Sequence, residues 1–278
     1  MASFYPDARL ELIQAVRAVH ALMDTGHEVL IPPQHADKFA ALRERFGARY
    51  TVTTGAAPSV PIVIDHREPS TRIGAVQRPL IFSPTLLAYC RGLWQPRRSI
   101  RFSFAGLVTP SRHQALSRWM RRSFPEVAMP LPAVDEGLAA KLWARIRRRL
   151  GARPAPRSTR HVAGEVVFWS STRGRHFPGK SWDDEYFRLL CDSRFVLCPN
   201  GDFVWSYRFF EAAMCGAIPI VQESCPAYDG FRFRTMDEAA GGMEWSPGDA
   251  EHNYRLALER LVVPLEQLSE EIEKEARR

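Results

Sequence analysis

"SRFVLCPNGDFVWSYRFFEAAMCGAIPIVQ", residues 193–222, reads as one complete strand–turn–helix–strand unit. The apolar run Phe195–Cys198 has the length of a buried strand and ends in "PNGD", a turn sequence. Ser206 suits the N-cap of a helix running through Cys215, and Gly216 suits the position just past its end. "AIPIVQ" then supplies a second short strand. Strand, crossover helix and strand imply a parallel sheet, and such sheets bind ligands outside the carboxyl ends of their strands. "PNGD" falls at that edge.

The same rhythm extends outward in both directions. "ARLELIQAVRAVHALMDTG" carries apolar residues at 10, 12, 13, 16, 19, 22 and 23, a helical face ended by Gly26. "HEVLI" follows as a strand and "ADKFAALRERFGA" as a helix closed by Gly47. "RYTVTT", "VPIVID" and "RPLIFS" read as further strands. Proline-containing "LWQPRRS", residues 93–99, marks a domain boundary. Beyond it, "SIRFSFAG", "EVVFWSS" and "RFVLCPN" read as strands. "PSRHQALSRWMRRSF", "LAAKLWARIRRRL", "DDEYFRLLCDS" and "SYRFFEAAMCG" read as helices, and "GARPAPRSTR" as a loop. The last 30 residues form one helix or two, interrupted at Pro264. The expected fold class is α/β. Two Rossmann-like domains, residues 1–97 and 98–278, face a cleft.

Composition narrows the partners. No stretch of 18 apolar residues exists, and the N-terminus lacks the basic and apolar regions of a secretory signal. Five cysteines without metal spacing fit reduced thiols in a cytoplasmic protein. The net charge of +7 is concentrated in residues 97–175, which hold 17 Arg or Lys against four acids. That favours a phosphate-bearing or otherwise anionic partner. Zinc-finger spacing, an RRM signature and sustained basic–aromatic alternation are all missing, so nucleic acid is not expected.

Arg208 falls in the first turn of the expected helix, where a cation opposes the helix dipole. A bound anion would reverse that penalty. Glu211, three residues on, lies on nearly the same face. A cation for a diphosphate and a carboxylate for sugar hydroxyls suit a nucleotide-diphosphate sugar. An Arg208–Glu211 surface pair is the simpler alternative.

The stretch resembles the C-terminal signature of exostosin-type glycosyltransferases, in which F-x-L-C-P-x-G-D is followed by S-x-R-F-F-E-A and G-x-I-P-V-V. The matching residues are Phe195, Leu197, Cys198, Pro199, Gly201 and Asp202, then Ser206, Arg208, Phe209, Phe210, Glu211 and Ala212, then Gly216, Ile218, Pro219, Ile220 and Val221. "RFSFAG", residues 101–106, with Arg112 after it, resembles the strand and turn that open the same domain. The close match covers about 35 residues and the weaker one about a dozen; residues 1–97 do not align. The resemblance implies a GT-B fold, a nucleotide-sugar donor held mainly by the C-terminal domain, and inverting transfer without an essential metal or other cofactor. The sequence is shorter than the family's usual members, and no N-terminal membrane anchor is expected. That points to a bacterial cytoplasmic hexosyl- or pentosyltransferase of cell-surface polysaccharide biosynthesis.

The residues agree on metal, since no D-x-D pair occurs to hold a cation on the diphosphate. The leaving group then needs Arg side chains and a helix N-terminus. Arg208, Arg112 and Arg173 are the candidates, with Asp202, Ser206 and Glu211 completing the donor set. An inverting reaction also needs a base for the acceptor hydroxyl. "VPIVIDHREPS" offers Asp65 first, His66 second, and Glu68, at the end of a strand; a turn capped by Asp65 explains the same residues.

"GRHFPGKS", residues 174–181, fits the letters of a P-loop and would make the chain an NTPase or kinase. Pro178 has no N–H to give, Asp183, Asp184 and Glu185 would repel a triphosphate, and no strand ending in Asp follows. It is expected to be a turn; a middle reading has Arg173, Arg175 and Lys180 line a cleft and touch an anion without forming a P-loop. A non-catalytic glycan- or anion-binding protein is the remaining alternative. The Arg-rich helix "LAAKLWARIRRRL" is a packed helix with a solvated face, or one docking on anionic lipid headgroups beside a glycolipid acceptor.

Overall fold

The computed structural model describes residues 2–131, 158–171 and 179–277. The basic helix expected at 138–150, Arg173 and most of the P-loop-like segment lie outside the described residues.

The first half forms a six-stranded mixed sheet. Strands β1 (Ser3–Asp7), β2 (Glu28–Ile31), β3 (Thr51–Val52) and β4 (Ser59–Asp65) are mutually parallel, in the order β3-β2-β1-β4. Strands β5 (Ser70–Ile73) and β6 (Val76–Arg78) continue from β4 as an antiparallel meander. Helices α1 (Ile13–Met23) and α2 (Asp37–Phe46) connect the parallel strands. Gly47 ends α2 with φ +65°, a left-handed residue that a side chain would strain.

"RPLIFS" is not a strand beyond Arg78. Its Phe82 N–H donates to the Leu261 carbonyl (2.8 Å), so no neighbouring strand takes its ladder bonds. Ser83 then caps helix α3 (Pro84–Gly92), accepting from the N–H groups of Thr85 and Leu86. Ser-Pro at a helix start is the ordinary N-cap and N1 pairing, and the apolar content of the run hid it.

The second half forms another six-stranded sheet. Strands β7 (Ile100–Gly106), β9 (Val166–Ser171), β10 (Ser193–Cys198), β11 (Ile218–Val221) and β12 (Arg234–Thr235) are parallel. Strand β8 (Ser158–Ala163) pairs antiparallel to β9 at the edge, so the expected loop at 151–160 ends in a strand. The order is β12-β11-β10-β7-β9-β8. Helices α4 (Pro110–Ser123), α5 (Asp184–Asp192) and α6 (Tyr207–Met214) make the connections. Helix α7 (Pro247–Leu261) and helix α8 (Leu265–Ala276) are separated at Pro264.

Both units are thus Rossmann-like mixed α/β layers. The chain passes from one sheet to the other in the segment joining α3 to β7. Helix α8, grouped with the second domain by its place in the chain, packs on the first sheet. There Leu268 and Ile272 are buried, Glu271 accepts from the Ala75 N–H (2.7 Å), and Ser269 Oγ bonds His27 Nε2 (2.7 Å).

A continuous apolar core joins the units, running from Phe4, Val19 and Ile31 to Phe187, Phe210 and Met214. Trp182 stacks on Phe187 at 4.2 Å and meets Phe46 edge-on at 4.7 Å. The segment just after Lys180 is therefore anchored in this seam. A second cluster under β7, β9 and β10 holds Phe102, Phe104, Trp119, Phe195 and Leu197. All five cysteines are free thiols, and burial pushes Cys198 up to about 12, an inert thiol at neutral pH. Among the described residues no helix is long and apolar enough to cross a membrane.

Candidate functional site

Strands β7 and β10 end side by side at Gly106 and Cys198. Beyond them a cavity of about 380 Å³ opens between the units. Leu12, Ile13, Gln14 and His66 line it from the first unit. From the second come Gly106, Arg112, Lys180, Tyr186, Asp202, Ser206, Arg208 and Glu211, among others. Trp205 ties the two sides together by donating its indole N–H to the His66 carbonyl (2.9 Å).

Arg208 sits in the first turn of α6, and its side chain runs back over the sheet edge. The guanidinium carbon lies 4.7 Å from the Phe104 ring centroid. Gly106, at φ +152°, leaves the room: a Cβ there would collide with Arg208 Nη2. The residue is 9% exposed, yet its Nε and Nη1 have no hydrogen-bond partner. A buried donor left without a partner costs roughly 1–3 kcal/mol. The expected Arg208–Glu211 surface pair does not form among the described contacts; Arg208 faces the cavity with donors to give.

Arg112 is held differently. Thr109 caps its helix, Nε donates to the Asn200 carbonyl (3.2 Å) and Nη1 to that of Leu107 (3.2 Å). It fastens the "PNGD" loop to the β7–α4 loop. Gly201 is again a space-maker, since a Cβ would stand 2.6 Å from Arg112 Nη2. Two glycines of the resembling motifs therefore accommodate its two arginines.

Ser206 occupies the N-cap position of α6, but its hydroxyl makes no capping bond. Its own N–H donates to the Tyr228 hydroxyl (2.6 Å), and the Tyr228 ring stacks on Phe209 at 3.7 Å. The positive end of α6 thus faces the cavity without a side-chain cap, beside Arg208. Asp202 is exposed at the rim. Glu211 is 2% exposed; its Oε2 accepts from the Tyr186 hydroxyl (2.6 Å), and its Oε1 lies 3.8 Å from Arg17 Nη2.

The structure separates the candidate bases. His66 lines the cavity. Asp65 is exposed outside it and accepts from the Arg67 N–H (2.8 Å), a local turn cap. Glu68 is exposed and does not line the cavity. The acids after the P-loop-like segment are engaged in the fold. Asp183 caps α5 by accepting from the Tyr186 N–H (3.1 Å), while Asp184 accepts from Trp182 Nε1 (2.8 Å) and pairs with Arg45. Lys180 points its segment to the same cavity as Arg208. Among the described residues no cluster of His, Cys, Asp or Glu is arranged to hold a metal.

Arg17, Tyr186 and Trp205 were not singled out from the sequence. The signal for Arg17 was present: with His20 it interrupts a helix that is otherwise apolar on several faces. All residues from Gln14 to Met23 are buried, because α1 is covered by its own sheet and by the second unit.

A larger groove of about 580 Å³ lies at the amino ends of β7 and β10, near Arg98, Arg101 and Trp245. Its buried arginine is engaged in structure: Arg98 donates to the carbonyls of Leu190, Ser193 and Cys215. The smaller cavity, at the carboxyl ends and with uncommitted donors, is the better site.

No protein-family model matches this chain, and no curated protein matches it in sequence.

Proposed function

We propose that this chain is a glycosyltransferase of GT-B architecture. It takes a nucleotide-diphosphate sugar as donor and transfers the sugar, with inversion and without metal, to a glycan or glycolipid hydroxyl. The observation that carries the reading is Arg208: a buried guanidinium with two unpartnered nitrogens, at an uncapped helix N-terminus, facing a cavity shared by two Rossmann-like units.

In this reading the diphosphate lies against the first turn of α6 and Arg208, with Arg112 and Lys180 adding positive potential. The acceptor enters from the side of Leu12, Ile13 and His66. His66 takes the acceptor hydroxyl proton as the acceptor oxygen bonds to the anomeric carbon. The bond from that carbon to the phosphate oxygen breaks, and the electron pair leaves on the diphosphate. Charge grows on the leaving group as the bond lengthens, so donors already aimed at it stabilise the transition state more than the ground state. The chemistry suits a cytoplasmic enzyme acting on cell-surface polysaccharide precursors at the membrane's inner face.

A melting-shift panel tests the reading. UDP- or GDP-sugars in EDTA should stabilise the protein, and chromatography should then show sugar transferred to an acceptor. Stabilisation by Mg-ATP alone would instead favour a P-loop enzyme, and donor binding without any product a non-catalytic binder.

A further inference from the structure

We propose that Arg17 and Tyr186 are positioning residues for donor recognition. Together they hold the Glu211 carboxylate in place and aimed at the vicinal hydroxyls of the nucleotide's ribose. The inference rests on the donor-site reading of the cavity and assigns to it two residues from outside the resembling motifs.

Glu211 lines the cavity but is almost wholly buried. A carboxylate so placed loses its hydration and needs charge or hydrogen bonds in exchange. Two groups meet it. The Tyr186 hydroxyl donates to Oε2 at 2.6 Å, and Arg17 Nη2 stands 3.8 Å from Oε1.

Arg17 is the informative one. It is fully buried on α1, in the opposite unit, with its guanidinium 5.5 Å from the Phe187 ring centroid. None of its three side-chain nitrogens has a hydrogen-bond partner. Glu211 is the opposite charge it meets within ion-pair distance among the described residues. Arg98 shows what a structural buried arginine does in this fold: it satisfies three backbone carbonyls. Arg17 satisfies none, so packing alone does not account for a cation there. Replacing a whole buried ion pair by apolar side chains of similar size is commonly neutral or stabilising, whereas removing one partner leaves the other charge uncompensated. What Arg17 supplies is its positive charge, next to the Glu211 carboxylate. An ionised carboxylate accepts and cannot donate, which suits two adjacent hydroxyl donors. Tyr186, bonded to the other oxygen, fixes the plane in which it does so.

The test is calorimetric titration of the full chain in EDTA with UDP and GDP and with their 2′-deoxy counterparts. The readout is the ribo-to-deoxy affinity ratio, which a merely structural defect would not change. The parent should prefer the ribonucleotide by roughly tenfold or more, as expected where a polar group is left unpaired by the missing hydroxyl. Glu211→Gln should abolish the preference. Arg17→Met and Tyr186→Phe should each reduce it severalfold, with Arg17→Lys retaining part. Should Arg17→Met fail to fold, Tyr186→Phe and Arg17→Lys carry the test. If Glu211→Gln loses the preference while the folded Arg17 and Tyr186 variants keep it, the positioning role is overturned and the donor reading stands. If the parent shows no preference, or Glu211→Gln keeps it, the ribose role of Glu211 falls and this inference with it.

Discussion

Arg208→Met should separate activity from stability in opposite directions. The parent side chain brings two buried nitrogens without partners into the fold. Each unpartnered donor costs roughly 1–3 kcal/mol. The cation–π contact with Phe104 returns roughly 0.5–2 kcal/mol. Methionine keeps most of the apolar stem and removes both terms. The folded state should therefore lie between unchanged and about 5 kcal/mol more stable, so the melting temperature should hold or rise. Activity should move the other way. A charge-assisted contact to a leaving diphosphate in a dry site contributes roughly 2–4 kcal/mol to the transition state, so kcat should fall about 30- to 1,000-fold. KM should change less, because the charge being stabilised develops during bond breaking. Arg208→Lys should restore only part, since an ammonium cannot reproduce the planar fork. Gly106→Ala should imitate the loss in milder form by displacing the guanidinium. Steady-state kinetics with the identified donor, alongside calorimetric melting, reads all of these. A folded Arg208→Met that transfers sugar at the parent rate would place the leaving-group site elsewhere. A melting temperature well below the parent's would mean the guanidinium holds the fold rather than awaiting a ligand.

His66→Ala should lower kcat about 10²- to 10⁴-fold, whereas Asp65→Asn should leave it within a fewfold; comparable losses in both, by the same kinetic assay, would contradict the assignment of the base. Transfer should survive excess EDTA, and a complete loss reversed by Mg²⁺ or Mn²⁺ would count against it. Lys180→Ala should leave Mg-ATP titrations as featureless as the parent's, since no P-loop is expected at 174–181; micromolar Mg-ATP binding abolished by that change would reverse this. Stability should fall in acid through His20, whose pKa is lowered to about 3 from its ordinary 6.5, first by burial and then by the Arg17 charge. Below pH 6.5 the unfolded chain takes up a proton that the native imidazole refuses, at up to ~1.4 kcal/mol per pH unit until about pH 3. His20→Leu should flatten denaturant-melt stability between pH 6.5 and 4; an unchanged slope would be the contrary result.

The second unit was legible because its local signals agree with its packing. Gly216 adopts φ +73° just past α6, Thr109–Pro110 opens α4, and Asp183 caps α5, each at the position its residue type suggests. The first unit was less so. Strand β1 contains Pro6 and only two buried residues, so its central place in the sheet depends on partners far along the chain. Strands β5, β6 and β8 are short or polar and exist through antiparallel pairing with a better strand. The crossing of α8 to the first sheet has no local signature; it follows from Leu268 and Ile272 finding an apolar face there. Within the site, Ser206, Arg208 and Glu211 were readable as a helix terminus with charges one turn apart, and Arg112 from the resembling strand and turn before it. That His66 rather than Asp65 lines the cavity was not, because adjacent residues at a strand end face opposite ways and only the turn geometry decides. Arg17 and Tyr186 reach Glu211 from separate elements, a juxtaposition that spacing cannot reveal.

The central claim is that the diphosphate of a nucleotide sugar sits on Arg208 and the first turn of α6. A crystal structure of the protein with the nucleoside diphosphate identified by the donor panel tests it directly. Phosphate oxygens should lie about 3 Å from Arg208 Nε or Nη1 and from first-turn N–H groups of Tyr207–Met214, with no metal between. Phosphates cradled instead by the 174–181 turn, with Arg208 untouched, would contradict it.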